Sequence, residues 1–278
     1  MSRLIILLYL LLPLTVVASE SEKIRVFVSI PPQKQFVEKI GGALVDVQVM
    51  LPAGQSPETY TPSPRMLASL SGARLYFQIG VPFEVSWTAA IQSVNPNIRI
   101  ATCCDQFIGA AATADDEHHD LHLWSSPDYV KLLAQQIRDE LTVIDPAHQS
   151  SYETGFRQFT SELDALSTSI RNKLAARRTR YFIVSHAAWG YFAEQFGLVQ
   201  LALEENGKES GPRSLLDMIR VAHEENIHTL FMVKQYQTPV VKSLAQELDA
   251  VIVEMDPLAA DYLANMVVVS DQIAGALK

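Results

Sequence analysis

Apolar and polar positions follow two rhythms along this chain. Short β-branched, apolar runs at 24–30, 45–50, 75–79 and 98–102 have the length and composition of buried strands. The segments 33–40, 64–71, 87–93 and 127–141 carry helical patterning. Pro31-Pro32 stops the first strand and Gly41-Gly42 ends the first helix. The second strand is followed by a loop of turn residues, Leu51-Pro52-Ala53-Gly54-Gln55-Ser56-Pro57-Glu58-Thr59-Tyr60. Strands alternating with helices at this interval predict a mostly parallel sheet flanked by helices.

The rhythm breaks at Pro146. From there to about Arg177 the sequence holds no strand candidate and no internal proline, and Gly155 is its one glycine. Phe156, Phe159, Leu163, Leu166, Ile170 and Leu174 recur at helical spacing, which predicts one helix of roughly 28 residues and ~42 Å. That is too long for a single βαβ crossover and reads as a spine. Beyond it, strands are expected at 181–185, 198–203, 229–233 and 251–255. Helices are expected at 188–196 (closed by Gly197), 214–226, 239–248 and 260–277. The fold class is therefore α/β: two (β/α) lobes with mostly parallel sheets joined by one long backbone helix. Residues 19–145 form the N-terminal lobe, 146–178 the connecting helix and 179–278 the C-terminal lobe. The halves share a layout without a visible sequence repeat.

The ends and the charge add to this picture. Met1-Ser2-Arg3 precedes an apolar run broken by Tyr9, Pro13 and Thr15 and ending in Val16-Val17-Ala18. These features predict a secretory signal over 1–18, cut after Ala18; no Cys stands at the cut, so no lipid anchor is expected. Losing Arg3 with that segment moves the formal charge from −9 to about −10. Such acidity argues against a nucleic-acid partner and suits collection of a cation. Cys103 and Cys104 are adjacent, which makes no disulfide framework; they read as small buried residues at a strand end.

Candidate chemistry gathers first in Asp115-Asp116-Glu117-His118-His119-Asp120-Leu121-His122-Leu123-Trp124, where imidazole and carboxylate stand together as zinc and similar divalent ions require. Ligands in open α/β sheets bind at the carboxyl ends of strands. Glu58 falls in the loop after the second strand and His122 after the fourth. His186 follows strand 181–185 and Asp256 follows strand 251–255. Each has an ordinary reading as well: Glu58 as a solvated loop residue, His186 as a satisfied core histidine, Asp256 as a turn or N-cap residue of the last helix. His223 and His228 read as surface.

The same segments resemble the metal-binding components of ABC uptake transporters, the cluster A-I solute-binding family of zinc/manganese type. The loop from Pro52 to Tyr60 resembles the segment holding that family's first metal ligand. Asp120-Leu121-His122-Leu123-Trp124-Ser125-Ser126-Pro127 resembles its Asp-Pro-His-x-Trp motif. Ser185-His186-Ala187-Ala188-Trp189-Gly190-Tyr191-Phe192 resembles the third ligand segment, and Met255-Asp256-Pro257-Leu258 the fourth. Gly207-Lys208-Glu209 and the acidic His loop are similar to features of zinc-type members. Two positions depart from the pattern: Glu58 stands where most zinc-type members have His, and Leu121 replaces a proline.

The resemblance implies a metal site of Glu58, His122, His186 and Asp256; should Glu58 not ligate, a water or Glu84 would complete the shell of the other three. His118 and His119 would form a weak accessory site. It implies capture of Zn²⁺, with Mn²⁺ or Fe²⁺ as alternatives because two carboxylates favour harder ions. It also implies delivery to a membrane ABC permease by a monomeric periplasmic protein with no catalysis. A secreted metallohydrolase or an adhesion protein are the rival readings. The chain lacks the His-Glu-x-x-His and Gly-x-Ser-x-Gly patterns that would favour hydrolysis.

Overall fold

A computed structural model describes residues 22–102, 120–205, 208–234 and 238–278. The expected signal segment, Cys103, Cys104, Gly207 and the stretch Asp115–His119, with His118 and His119, lie outside the described residues.

The N-terminal half runs β1 (Ile24–Val28), α1 (Pro31–Gly41), β2 (Val45–Val49), α2 (Pro64–Ser69), β3 (Leu75–Gln78), α3 (Pro82–Val94) and β4 (Arg99–Thr102). Next come α4 (Pro127–Ile144) and the long α5 (Gln149–Leu174). The C-terminal half runs β5 (Tyr181–Val184), α6 (Gly190–Phe196), β6 (Val199–Ala202), β7 (Glu204–Glu205), β8 (Lys208–Glu209) and α7 (Pro212–Glu224). It ends with β9 (Thr229–Val233), α8 (Pro239–Glu247), β10 (Val251–Met255) and α9 (Tyr262–Ala276).

The strands fall where the apolar runs predict, each within two residues at either end. Several helix starts differ. Pro31, expected only to stop a strand, opens α1, and α3 and α7 begin at Pro82 and Pro212, ahead of the periodic residues. The reason is local: at the first helical position proline's missing N–H is one that would lack an intrahelical partner anyway, and its φ is already helical. The antiparallel pair β7–β8 has no counterpart in the sequence reading, because two-residue strands carry no period.

Both four-stranded sheets are fully parallel. Their orders are β2-β1-β3-β4 and β6-β5-β9-β10, so each half places its own strands as second, first, third, fourth. The architectural repeat is real although the sequence shows none. This order puts a crevice at the carboxyl ends of the central strands, where adjacent connections leave in opposite directions.

The helix α5 has 26 residues, about 39 Å at 1.5 Å per residue. It buries Tyr152, Gly155, Phe159, Leu163, Leu166, Ile170 and Leu174 against α1, α4 and α9. One apolar core runs through both halves along it, and a smaller one lies in the C-terminal lobe. Phe36 of α1 sits where the halves meet, its ring 5.7 Å from Phe159 and 5.0 Å edge-on from Tyr262. Hydrogen bonds also cross there: Gln35 Nε2 to Asp261 Oδ1 (2.8 Å), Ser126 Oγ to Gln195 Oε1 (2.6 Å) and Trp124 Nε1 to the Pro257 carbonyl (2.7 Å). Among the described residues no helix is long and apolar enough to cross a membrane.

Candidate metal centre

β5 delivers the most buried of the candidate residues. Ser185 extends the strand's pairing by one residue, donating its N–H to Phe231 O (2.8 Å) while its Oγ accepts from Val233 N–H (2.8 Å). His186 follows, 2% exposed, and lines the cleft between the lobes. The Ala187 N–H then bonds the Glu204 carbonyl at 3.0 Å, turning the chain away from the sheet.

Three of the four candidates meet at this ring. His186 Nε2 lies 3.3 Å from His122 Nε2 and 3.5 Å from Glu58 Oε1. The two imidazoles stand edge to face, 5.0 Å between centroids. His122 precedes a single 3₁₀ turn, Leu123–Ser125, and α4, whose N-terminus is capped by Ser126 Oγ. Its own backbone N–H donates to Asp120 Oδ1 at 2.8 Å, and its Nδ1 lies 2.8 Å from the same oxygen. Glu58 stands on a tight turn in which Thr59 and Tyr60 N–H both bond Ser56 O, at 3.3 and 3.0 Å. Its side chain is 24% exposed and forms the open side of the group.

Asp256 directly follows β10. Its Oδ1 accepts from Leu258 N–H (2.8 Å), and Pro257 and Leu258 line the same cleft as Pro57, His122, Trp124 and His186. Among the described residues no hydrogen bond or ion pair joins its carboxylate to the other three, and no group of three or more His, Cys, Asp or Glu side chains is placed to hold a metal ion. The N-cap alternative does not hold: Asp261 caps α9, accepting from Ala264 N–H.

Glu84 has a different task from the substitute ligand considered for it. Its two oxygens accept the N–H groups of Ile79 (2.9 Å) and Gly80 (2.8 Å), bracing the turn between β3 and α3, where Gly80 has φ of +93°. Burial pushes its carboxyl up to about 7, against hydrogen bonds that act to lower it. Because the folded pKa lies above the unfolded one, the native state holds more protons between about pH 4.5 and 7. Stability is therefore expected to fall as pH rises through that window, by on the order of 3 kcal/mol. Urea midpoints measured from pH 4.5 to 8 should show this slope, and Glu84→Gln should flatten it. An equal slope in the variant would remove Glu84 as its source.

His223 and His228 are exposed, in line with the surface reading. The residue that the sequence reading missed is Glu204. It is 8% exposed, and its Oε2 is hydrogen-bonded to His186 Nδ1. A carboxylate directly after the apolar run 198–203 was the available signal. Three carboxylates, those of Glu58, Asp120 and Glu204, thus adjoin two imidazoles in a cleft with apolar walls, the side-chain types that suit a divalent cation.

Comparison with known proteins agrees with that chemistry. The family model described as zinc-uptake complex component A, periplasmic, matches residues 26–276. Two crystal structures of ZnuA, one of them a zinc-bound deletion mutant, superpose with a TM-score of 0.84. They are 35% and 36% identical, and each comparison covers 92% of this chain and at least 99% of the other. The high-affinity zinc uptake system protein ZnuA of Bacillus subtilis is 22% identical over 84% of this chain and 77% of its own length. The manganese ABC transporter substrate-binding lipoprotein PsaA of Streptococcus mitis is 22% identical over 83% and 78%.

Proposed function

Because this chain belongs to the periplasmic zinc-uptake component A family, we propose that it captures a divalent transition metal between its lobes and hands it to the membrane permease of an ABC uptake system. The ligands in this reading are Glu58, His122, His186 and Asp256, two from each lobe. Zinc is the cargo, the working compartment is the periplasm, and the protein acts as a monomer without catalysis.

The observation that carries the reading is the spacing of donor atoms. Bonds of ~2.0–2.1 Å in a tetrahedral zinc site place neighbouring donors ~3.3 Å apart. The distances around His186 Nε2 are 3.3 Å to His122 Nε2 and 3.5 Å to Glu58 Oε1. In this reading Asp256 completes the shell from the loop whose next two residues, Pro257 and Leu258, line the same cleft, and bonds such as Trp124 Nε1 to the Pro257 carbonyl tie that loop to the other lobe. Metal capture thus needs local ordering and no wide hinge closure. Protons compete with the metal for both imidazoles, so affinity falls in acid.

The test is titration of chelator-stripped protein with Zn²⁺ and with Mn²⁺, with stoichiometry from elemental analysis. One tightly bound Zn²⁺ per chain is expected, and failure to bind either ion tightly would end the reading. The two carboxylates among the ligands favour manganese more than an all-imidazole set would. Glu58→His is accordingly expected to keep one-to-one binding while raising the preference for Zn²⁺ over Mn²⁺. An unchanged ratio of the two affinities would show that Glu58 does not set selectivity.

A further inference from the structure

We propose that Asp120 and Glu204 are positioning residues that dictate which nitrogen of each imidazole faces the cargo. The proposal rests on the reading of His122 and His186 as ligands and adds two residues that the metal need not touch. Behind each ring, on the side away from the other ring, stands a carboxylate: Asp120 Oδ1 at His122 Nδ1 and Glu204 Oε2 at His186 Nδ1. An ionised carboxylate accepts and does not donate, so in the neutral ring each one favours the tautomer with the proton on Nδ1 and the lone pair on Nε2. The two Nε2 atoms are the ones that converge, 3.3 Å apart. The opposite tautomers would set Nδ1 lone pairs against carboxylate oxygens and N–H groups against the cargo.

Both carboxylates are themselves held. Glu204 opens β7, which pairs with β8, and its carbonyl accepts from Ala187 N–H, so backbone and side chain grip the two residues 186 and 187 together. Asp120 Oδ1 takes the backbone N–H of His122 as well as its ring. Its Oδ2 rests against Gly190 at the start of α6 in the opposite lobe, where an added Cβ would lie 2.3 Å from that oxygen. Glycine is the residue that lets the carboxylate sit there. Each lobe therefore supplies an imidazole with its own anionic backstop, and the seat of one backstop belongs to the other lobe.

The test compares the full chain with Glu204→Gln, Asp120→Asn and Gly190→Ala. Three measurements are made: Zn²⁺ affinity by chelator competition, thermal midpoint in chelator, and ¹⁵N chemical shifts of the histidine rings in the metal-free protein. Each variant is expected to bind Zn²⁺ about 10–100-fold more weakly with one-to-one stoichiometry kept. The Nδ1–H signature of His186 gives way to a mixture in Glu204→Gln, because an amide can both donate and accept. In Asp120→Asn and Gly190→Ala the change appears at His122. A purely structural role would lower the thermal midpoint without moving the tautomers. Unchanged ring shifts, or affinities within threefold of the parent, overturn the proposal. His186→Ala is the control that separates it from the ligand reading: if that variant binds Zn²⁺ as tightly as the parent, the ligand assignment fails, whatever the tautomers do.

Discussion

His186→Ala is expected to abolish tight metal binding. A four-ligand zinc site is worth ~10–16 kcal/mol, so an even share per ligand is ~2.5–4 kcal/mol, or ~10²–10³-fold in affinity. The actual loss should lie at the upper end, because His186 is the residue that both His122 and Glu58 approach. The substitution also removes the hydrogen bond between His186 Nδ1 and the buried Glu204, at a cost of ~1–2 kcal/mol of fold stability. Affinity by chelator competition and the urea midpoint of the metal-free protein measure the two effects separately. An affinity within tenfold of the parent would remove His186 from the site.

Gly155→Ala should be the most destabilising small substitution in the spine. A Cβ at Gly155 would lie 2.5 Å from the Ile40 carbonyl oxygen and 2.8 Å from that of Lys39. Both are backbone atoms at the end of α1 that can move only by shifting the helix. Ala is favoured over Gly in a helix by ~1 kcal/mol, but forcing α1 and α5 apart disturbs the packing around Phe36 and Phe159. Overpacking of this kind costs ~1–3 kcal/mol, and the rigid neighbours here place it near the top, for a net loss of ~2 kcal/mol. Gly275→Ala in α9 meets nothing within 4 Å and is expected to stabilise slightly. The same chemical change should thus move the denaturation midpoint in opposite directions at the two sites. A stabilising Gly155→Ala would mean that the helices separate easily.

The fold was largely legible because both periods are long and clean. Strands such as 229–233 and 251–255 are bounded by polar or turn residues, and α5 repeats its apolar stripe over seven turns. Helix starts were misjudged where proline opened the helix before any apolar residue could mark it. That Glu58 and His122 lie in loops after strands, and His186 and Asp256 at strand ends, could be read from the α/β rhythm, since a parallel sheet fixes where loops gather. How near they stand to one another could not. Glu204 escaped because its partner is 18 residues away and reached only through the pairing of β5 with β6. Glu84 looked like a spare ligand because a sequence does not show that a carboxylate already holds two backbone amides.

The hydrogen bond from the Trp124 indole to the Pro257 carbonyl reaches further than its length suggests. Trp124 stands two residues after His122, and Pro257 one residue after Asp256, so this one bond clamps together the loops that carry the proposed ligands from opposite halves of the chain. On that assignment the entropy of bringing the two loops together is spent during folding and need not be spent again when an ion arrives. What capture then still has to order is the side chains, over a distance the clamp keeps short.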